Sequence, residues 1–171
     1  MLRSISWLLV PGLFAGLLGL TGPAWASAPP EALKVNDGGK FFTKEGLEKA
    51  DKKIREIYAK YRKDVVVETY MSPPEGKALP EDREKRAEFY REWAEKRIKE
   101  LGVNGVYILV TRKPPHLHLE VDELTRKKGL PPGERNKVAK KMLEEFRDKK
   151  FDAGLLAALE SIEASLKANL K

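Results

Sequence analysis

The sequence predicts an α/β fold: a small mixed β-sheet of about three to four strands, flanked by helices on both faces, in the order α-β-α-β-β-α-α. Three observations predict it. Stretches with helical spacing of apolar residues alternate with short β-branched runs, "DVVVETY" from Asp64 and "GVYILV" from Gly105. A long, charged helical stretch lies between those two runs, enough for a β-α-β crossover. The Pro-Pro turn "RKPPH" then joins the second run to a third, "LHLEV", too closely for anything but an antiparallel return.

The elements follow in chain order. Residues 1–26 read as a secretory signal: Arg3 supplies the early positive charge, and Trp7 to Leu20 is an apolar run interrupted by Pro11. Ala24 and Ala26 give a small-x-small exit. Cleavage after Ala26 is favoured over Ala28, which would place Pro29 just beyond the cut. A Pro/Ala linker covers 27–34, and one domain covers 35–171.

Thr43 is placed to cap a helix from Lys44 to about Arg62, whose inner face is Leu47, Ala50, Ile54, Ile57, Tyr58 and Tyr61. Val65 to Tyr70 is a buried strand, and "MSPPEGKALP" is a loop. A second helix runs from about Glu81 to Leu101. Ala87, Tyr90, Ala94, Arg97/Ile98 and Leu101 mark one face, with Trp93 beside it and Gly102 as the stop. The strands Gly105–Thr111 and Leu117–Val121 follow, then a polar connection, "DELTRKKGLPPGE". Glu134 to Lys149 forms a helix facing inward through Val138, Met142, Leu143 and Phe146. The last helix starts near Asp152, which is placed to cap it, with Leu155, Leu156, Leu159, Ile162 and Leu166 as its stripe.

Composition excludes several classes. There is no cysteine, so neither a disulfide nor a thiol nucleophile is available. The net charge is +7, but 26 acidic residues are interleaved with 33 basic ones, which argues against a nucleic-acid surface and suits an anionic envelope surface at most. Neither a Gly-x-Ser-x-Gly elbow nor a phosphate-binding P-loop occurs.

In sequence order, Val35-Asn36-Asp37 stands before the first helix, Val103-Asn104-Gly105 leads into "VYILV", and Arg112-Lys113 occupies the turn. Leu119-Glu120-Val121-Asp122 closes the third strand, and Phe146 precedes Phe151-Asp152-Ala153-Gly154-Leu155. In this order the chain resembles the TPM-domain family, exported bacterial proteins related to a plant thylakoid-lumen protein, over residues 34–166. The resemblance implies an exported α/β domain. It also implies either a maintenance or assembly role in a membrane-associated complex or a divalent-metal-dependent acid phosphatase. Two positions depart from the family pattern: Val103 stands where "DNG" has its acid, and Asp122 replaces a glycine.

Asp37, Asn104 and Asp122 are the candidate metal ligands, hard oxygen donors suited to Ca²⁺ or Mg²⁺ if the fold gathers them at one edge. Turn chemistry is the other reading of Asp37 and Asn104, whose side chains readily bond nearby backbone N–H groups. His116 and His118, spaced i and i+2 with Glu120 beyond, share one strand face. That geometry could hold Zn²⁺ or Cu²⁺, or simply form the exposed face of a hairpin. Arg126, Lys127 and Arg135 are the candidate ligand-binding cations for an anionic group. Phe89, Tyr90 and Trp93, at helical spacing, read as core. The expected function is binding and maintenance with little or no catalysis. A metal-dependent acid phosphatase is the alternative, and a basic module on an anionic envelope the second.

Overall fold

A computed structural model describes residues 33–74 and 79–170, so the expected signal segment 1–26 and most of the 27–34 linker lie outside the described residues. Four strands form one sheet in the order β1-β2-β3-β4: β1 is Val35–Asp37, β2 Asp64–Tyr70, β3 Gly105–Arg112 and β4 Pro115–Val121. The first three are parallel neighbours and β4 returns antiparallel to β3. The helices are α1 Lys44–Tyr61, α2 Arg83–Glu100, α3 Glu123–Lys128, α4 Pro132–Arg147 and α5 Phe151–Asn169.

Strand alternation divides the core. Val65, Val67, Val106, Ile108, Val110, Leu119 and Val121 face α1, α4 and α5 in one large apolar cluster that also takes in Leu33 and Val35. Val66, Tyr107 and Leu109 face α2 in a smaller cluster with Tyr90, Ala94 and Val103. Both sheet faces are therefore covered, as the near-continuous apolar runs of β2 and β3 require. Side-chain caps and ion pairs fix the helices. Thr43 caps α1, accepting from the Gly46 N–H, and Lys53 and Lys60 of α1 both reach Glu163 of α5. Asp82 caps α2 through the Lys85 N–H.

β1, β2 and β3 step across the sheet in one direction, yet α1 and α2 lie on opposite faces. The β1-α1-β2 and β2-α2-β3 crossovers are therefore of opposite hand, so one of them is left-handed, a rare choice.

Several details differ from expectation. Val35–Asp37 is a strand, and "ELTRKK" folds as α3 under an Asp122 cap. α4 begins at Pro132, with proline in the first turn where no intrahelical donor is needed. Leu143 points outward, 39% exposed, as does Ala87. Asp152 lies inside α5 rather than capping it, and its carboxylate accepts instead from the Thr43 N–H (3.0 Å) and hydroxyl (2.5 Å).

Candidate functional site

The structure sends the three predicted metal ligands to two ends of the sheet. Asp37 closes β1 opposite Thr69, at the carboxyl ends of the parallel strands. Its Oδ1 accepts from the Phe41 N–H (3.0 Å) and the Thr69 hydroxyl (2.5 Å), and its Oδ2 accepts from the Phe42 N–H (3.0 Å). The turn it organises is tight, because a Cβ at Gly38 would come within 2.9 Å of the Thr69 carbonyl oxygen. Arg112 seals it by donating to the Gly39 (2.9 Å) and Lys40 (2.6 Å) carbonyls while lying 4.2 Å above the Phe41 ring.

Asn104 and Asp122 meet at the other end, about five residues and roughly 16 Å along β2. Asp64 pairs with Gly105 on one side, and the Asp122 N–H donates to the Gly105 carbonyl (3.0 Å) on the other. Gly105 is required there because a Cβ would collide with the Asp64 backbone. The Asp64 carboxylate, 1% exposed, accepts from the Asn104 N–H (2.7 Å), and the Asp64 N–H donates back to the Asn104 carbonyl (3.0 Å). The Asn104 side-chain oxygen accepts from the Lys63 ammonium at 2.6 Å. Asp122 uses Oδ1 to cap α3 through Leu124 N–H (2.9 Å) and Thr125 N–H (3.2 Å). Its Oδ2 and the Thr125 hydroxyl are buried without hydrogen bonds among the described residues.

Asp64 is the residue that sequence reading missed. Its only signal is an acid directly before a β-branched run, and that acquires meaning through its register with the Asn-Gly of β3.

The α2 face carries the strongest electrostatics. Glu68, 5% exposed, accepts from the Tyr70 (2.7 Å) and Tyr107 (2.6 Å) hydroxyls and from Arg97 Nε (2.9 Å) and Nη2 (2.7 Å). Burial pushes the Glu68 pKa up, but the Arg97 guanidinium and the two phenols outweigh it and hold the carboxyl below its ordinary value. Burial, then Glu68, pushes the Tyr70 phenol up to about 12, and Tyr107 moves the same way.

On β4, His116, His118 and Glu120 do share a face, but it is not an exposed one: α2 covers it, leaving Glu120 8% exposed. The His116 ring stacks on Tyr90 at 3.7 Å, and burial, aided by His118 and Arg86, lowers its pKa to about 4. His118 Nε2 pairs with Glu120 Oε2 at 3.2 Å. A cleft of about 830 Å³ runs between His116–His118 and the start of α2, lined there by its cap Asp82 and by Glu84 and Glu88. Among the described residues no three His, Cys, Asp or Glu side chains gather around a point suited to a metal ion. Of the candidate ligand-binding cations, Arg126 and Lys127 are exposed on α3, where Lys127 pairs with Glu123 (2.5 Å). Arg135, half-buried on α4, lends its charge to Glu120.

The profile described as the TPM domain matches residues 35–165, from β1 into the last helix. The chain is a TPM-domain protein. Solved structures share its fold. The N-terminal domain of a protein from P. gingivalis superposes with a TM-score of 0.60 at 18% identity, covering 82% of this chain and 89% of that one. The BA42 protein of the psychrophilic bacterium Bizionia argentinensis gives 0.59 at 16% identity, with 75% and 83% covered. The N-terminal domain of the cg2496 protein of Corynebacterium glutamicum gives 0.56 at 11% identity, with 77% of each chain covered. No curated protein matches the chain.

Family resemblance raises Ca²⁺ or Mg²⁺ for this TPM domain, and the Asn104 corner tests it. The unpartnered Asp122 Oδ2 is an oxygen an ion could use. Against it, the Asn104 oxygen already faces an ammonium, Asp122 Oδ1 is committed to a helix cap, and Val103 is 6% exposed among apolar side chains. Ca²⁺ takes six to eight oxygen ligands. As they stand, these residues do not fit a divalent ion.

Proposed function

We propose that this TPM domain works by binding, as an exported maintenance or assembly factor of a membrane-associated complex with little or no catalysis of its own. The observation that carries this reading is the use made of Asp37. Both of its oxygens serve the fold's own donors, Phe41, Phe42 and Thr69, so the acid of the opening motif acts as a tie and not as a reagent. Export rests on Arg3, the apolar run after it and the Ala24-Trp25-Ala26 exit. The cleft between α2 and β4 is a concave surface wide enough to take a partner segment.

The test is an assay of the domain from residue 27 on a chromogenic phosphomonoester, with EDTA and with millimolar Ca²⁺ or Mg²⁺. Hydrolysis is expected to stay at the background rate in every condition. Turnover that needs the cation and disappears in Asp122→Asn would establish the acid phosphatase instead. Retention on anionic vesicles at low salt, lost at high salt, would favour the envelope-binding module suggested by the net charge of +7.

A further inference from the structure

The turn between α1 and β2 and the turn between α2 and β3 are stitched together at one corner. Asp64 and Asn104 exchange two hydrogen bonds, N–H to carboxylate at 2.7 Å and N–H to carbonyl at 3.0 Å. The Asn104 amide nitrogen lies 3.5 Å from the Arg62 carbonyl, and Lys63 Nζ lies 2.6 Å from the Asn104 side-chain oxygen. The corner is rich in oxygen: a carboxylate buried to 1% exposure, an amide oxygen and, across Gly105, the Asp122 carboxylate. Buried carboxylates need a compensating positive charge nearby. Lys63 delivers an ammonium onto this loop, through a short, charge-assisted hydrogen bond to the Asn104 side-chain oxygen.

We propose that Lys63 is a cation built into the chain, its ammonium standing at the Asn104–Asp64 corner in the place a divalent ion would take, so that the corner is closed to Ca²⁺ and Mg²⁺. An ammonium offers three donors and a compact point charge, and it brings positive charge to the Asn104 oxygen without collecting six oxygens. The same substitution accounts for Val103. With the charge supplied from Lys63, the position before Asn104 is free to join the apolar cluster of Tyr90, Ala94 and Leu109, where it lies at 6% exposure.

The experiment compares the wild-type chain with Lys63→Asn, Lys63→Met and Lys63→Arg. The readouts are thermal unfolding in EDTA and in millimolar CaCl₂ or MgCl₂, and calorimetric titration with Ca²⁺ alone. The wild type is expected to melt at the same temperature with chelator and with cation. Lys63→Asn and Lys63→Met should melt lower in EDTA. Lys63→Asn, which adds an oxygen where the charge was, should recover on adding Ca²⁺ and bind it about tenfold more tightly than the wild type or better. Lys63→Arg keeps the charge and should stay indifferent to cations, and it serves as the folded control if the neutral variants do not fold. A wild type stabilised by Ca²⁺, a Lys63→Asn variant as stable as wild type and blind to Ca²⁺, or a Lys63→Arg variant that gains Ca²⁺ binding would each overturn the proposal.

Discussion

At Asp37 a single carboxylate joins the end of β1, the turn into α1 and the end of β2. Because its partners are two backbone N–H groups and a hydroxyl, truncation leaves part-buried donors unsatisfied as well as removing charged hydrogen bonds. Asp37→Ala should therefore lower stability by about 3 kcal/mol. Asp37→Asn, which keeps one acceptor, should cost less; urea midpoints compared with wild type give both numbers. Turn chemistry was legible at this residue from Asp-Gly-Gly alone. What the sequence withheld is the long-range partner, Thr69, which depends on the β1–β2 register. The motif near the C-terminus has the same character. Asp152 receives Thr43, and a Cβ at Gly46 would run into that carboxylate. One at Gly154 would come within 2.7 Å of the Phe146 ring, so both glycines mark close approaches.

Among the elements, α2 departs furthest from its sequence. The expected apolar face is there, but only Tyr90 and Ala94 of the helix are fully buried, Phe89, Trp93 and Ile98 pack on the cluster part-exposed, and polar and ring contacts join them: Arg97 on Glu68, Tyr90 under His116. Pattern reading cannot see the ion pair and the stacked ring that supplement this packing. It missed β1 and α3 for related reasons: three residues show no period, and "ELTRKK" has polar residues around most of its short length.

These polar attachments make α2 sensitive to acid. His116 has a folded-state pKa of about 4 against an ordinary 6.5, so the folded protein binds fewer protons than the unfolded chain between those values. Stability should be full above pH 6.5 and fall as the pH drops toward about 4. The Glu68 contribution is present above the ordinary carboxylate value of 4.5 and is lost below it, as the pH falls through the lowered folded value. Urea unfolding measured across this range should show the first decline disappear in His116→Gln while the second remains. A decline of equal size in the variant would count against the stacked histidine as its source.

For the whole molecule, the alternation of helical and β-branched stretches was enough to give a sheet covered on both sides, with the tight turn giving the β3–β4 hairpin. The placing of the oxygen ligands was not, because it depends on which end of the sheet each residue reaches. Asp37 ends its strand and Asn104 precedes one, so parallel neighbours carry them to opposite ends. No spacing along the chain encodes that separation.

The opposite hands of the two crossovers leave α2 alone in its layer, while α1, α4 and α5 brace one another across the sheet. A lone helix can peel away without dissolving the rest, so deuterium should replace the amide hydrogens of Tyr90 and Ala94 well before those of Leu159 and Ile162. Such a swinging wall would let the breadth of the groove beside β4 vary in time, while the opposite side of the molecule stays a fixed anvil.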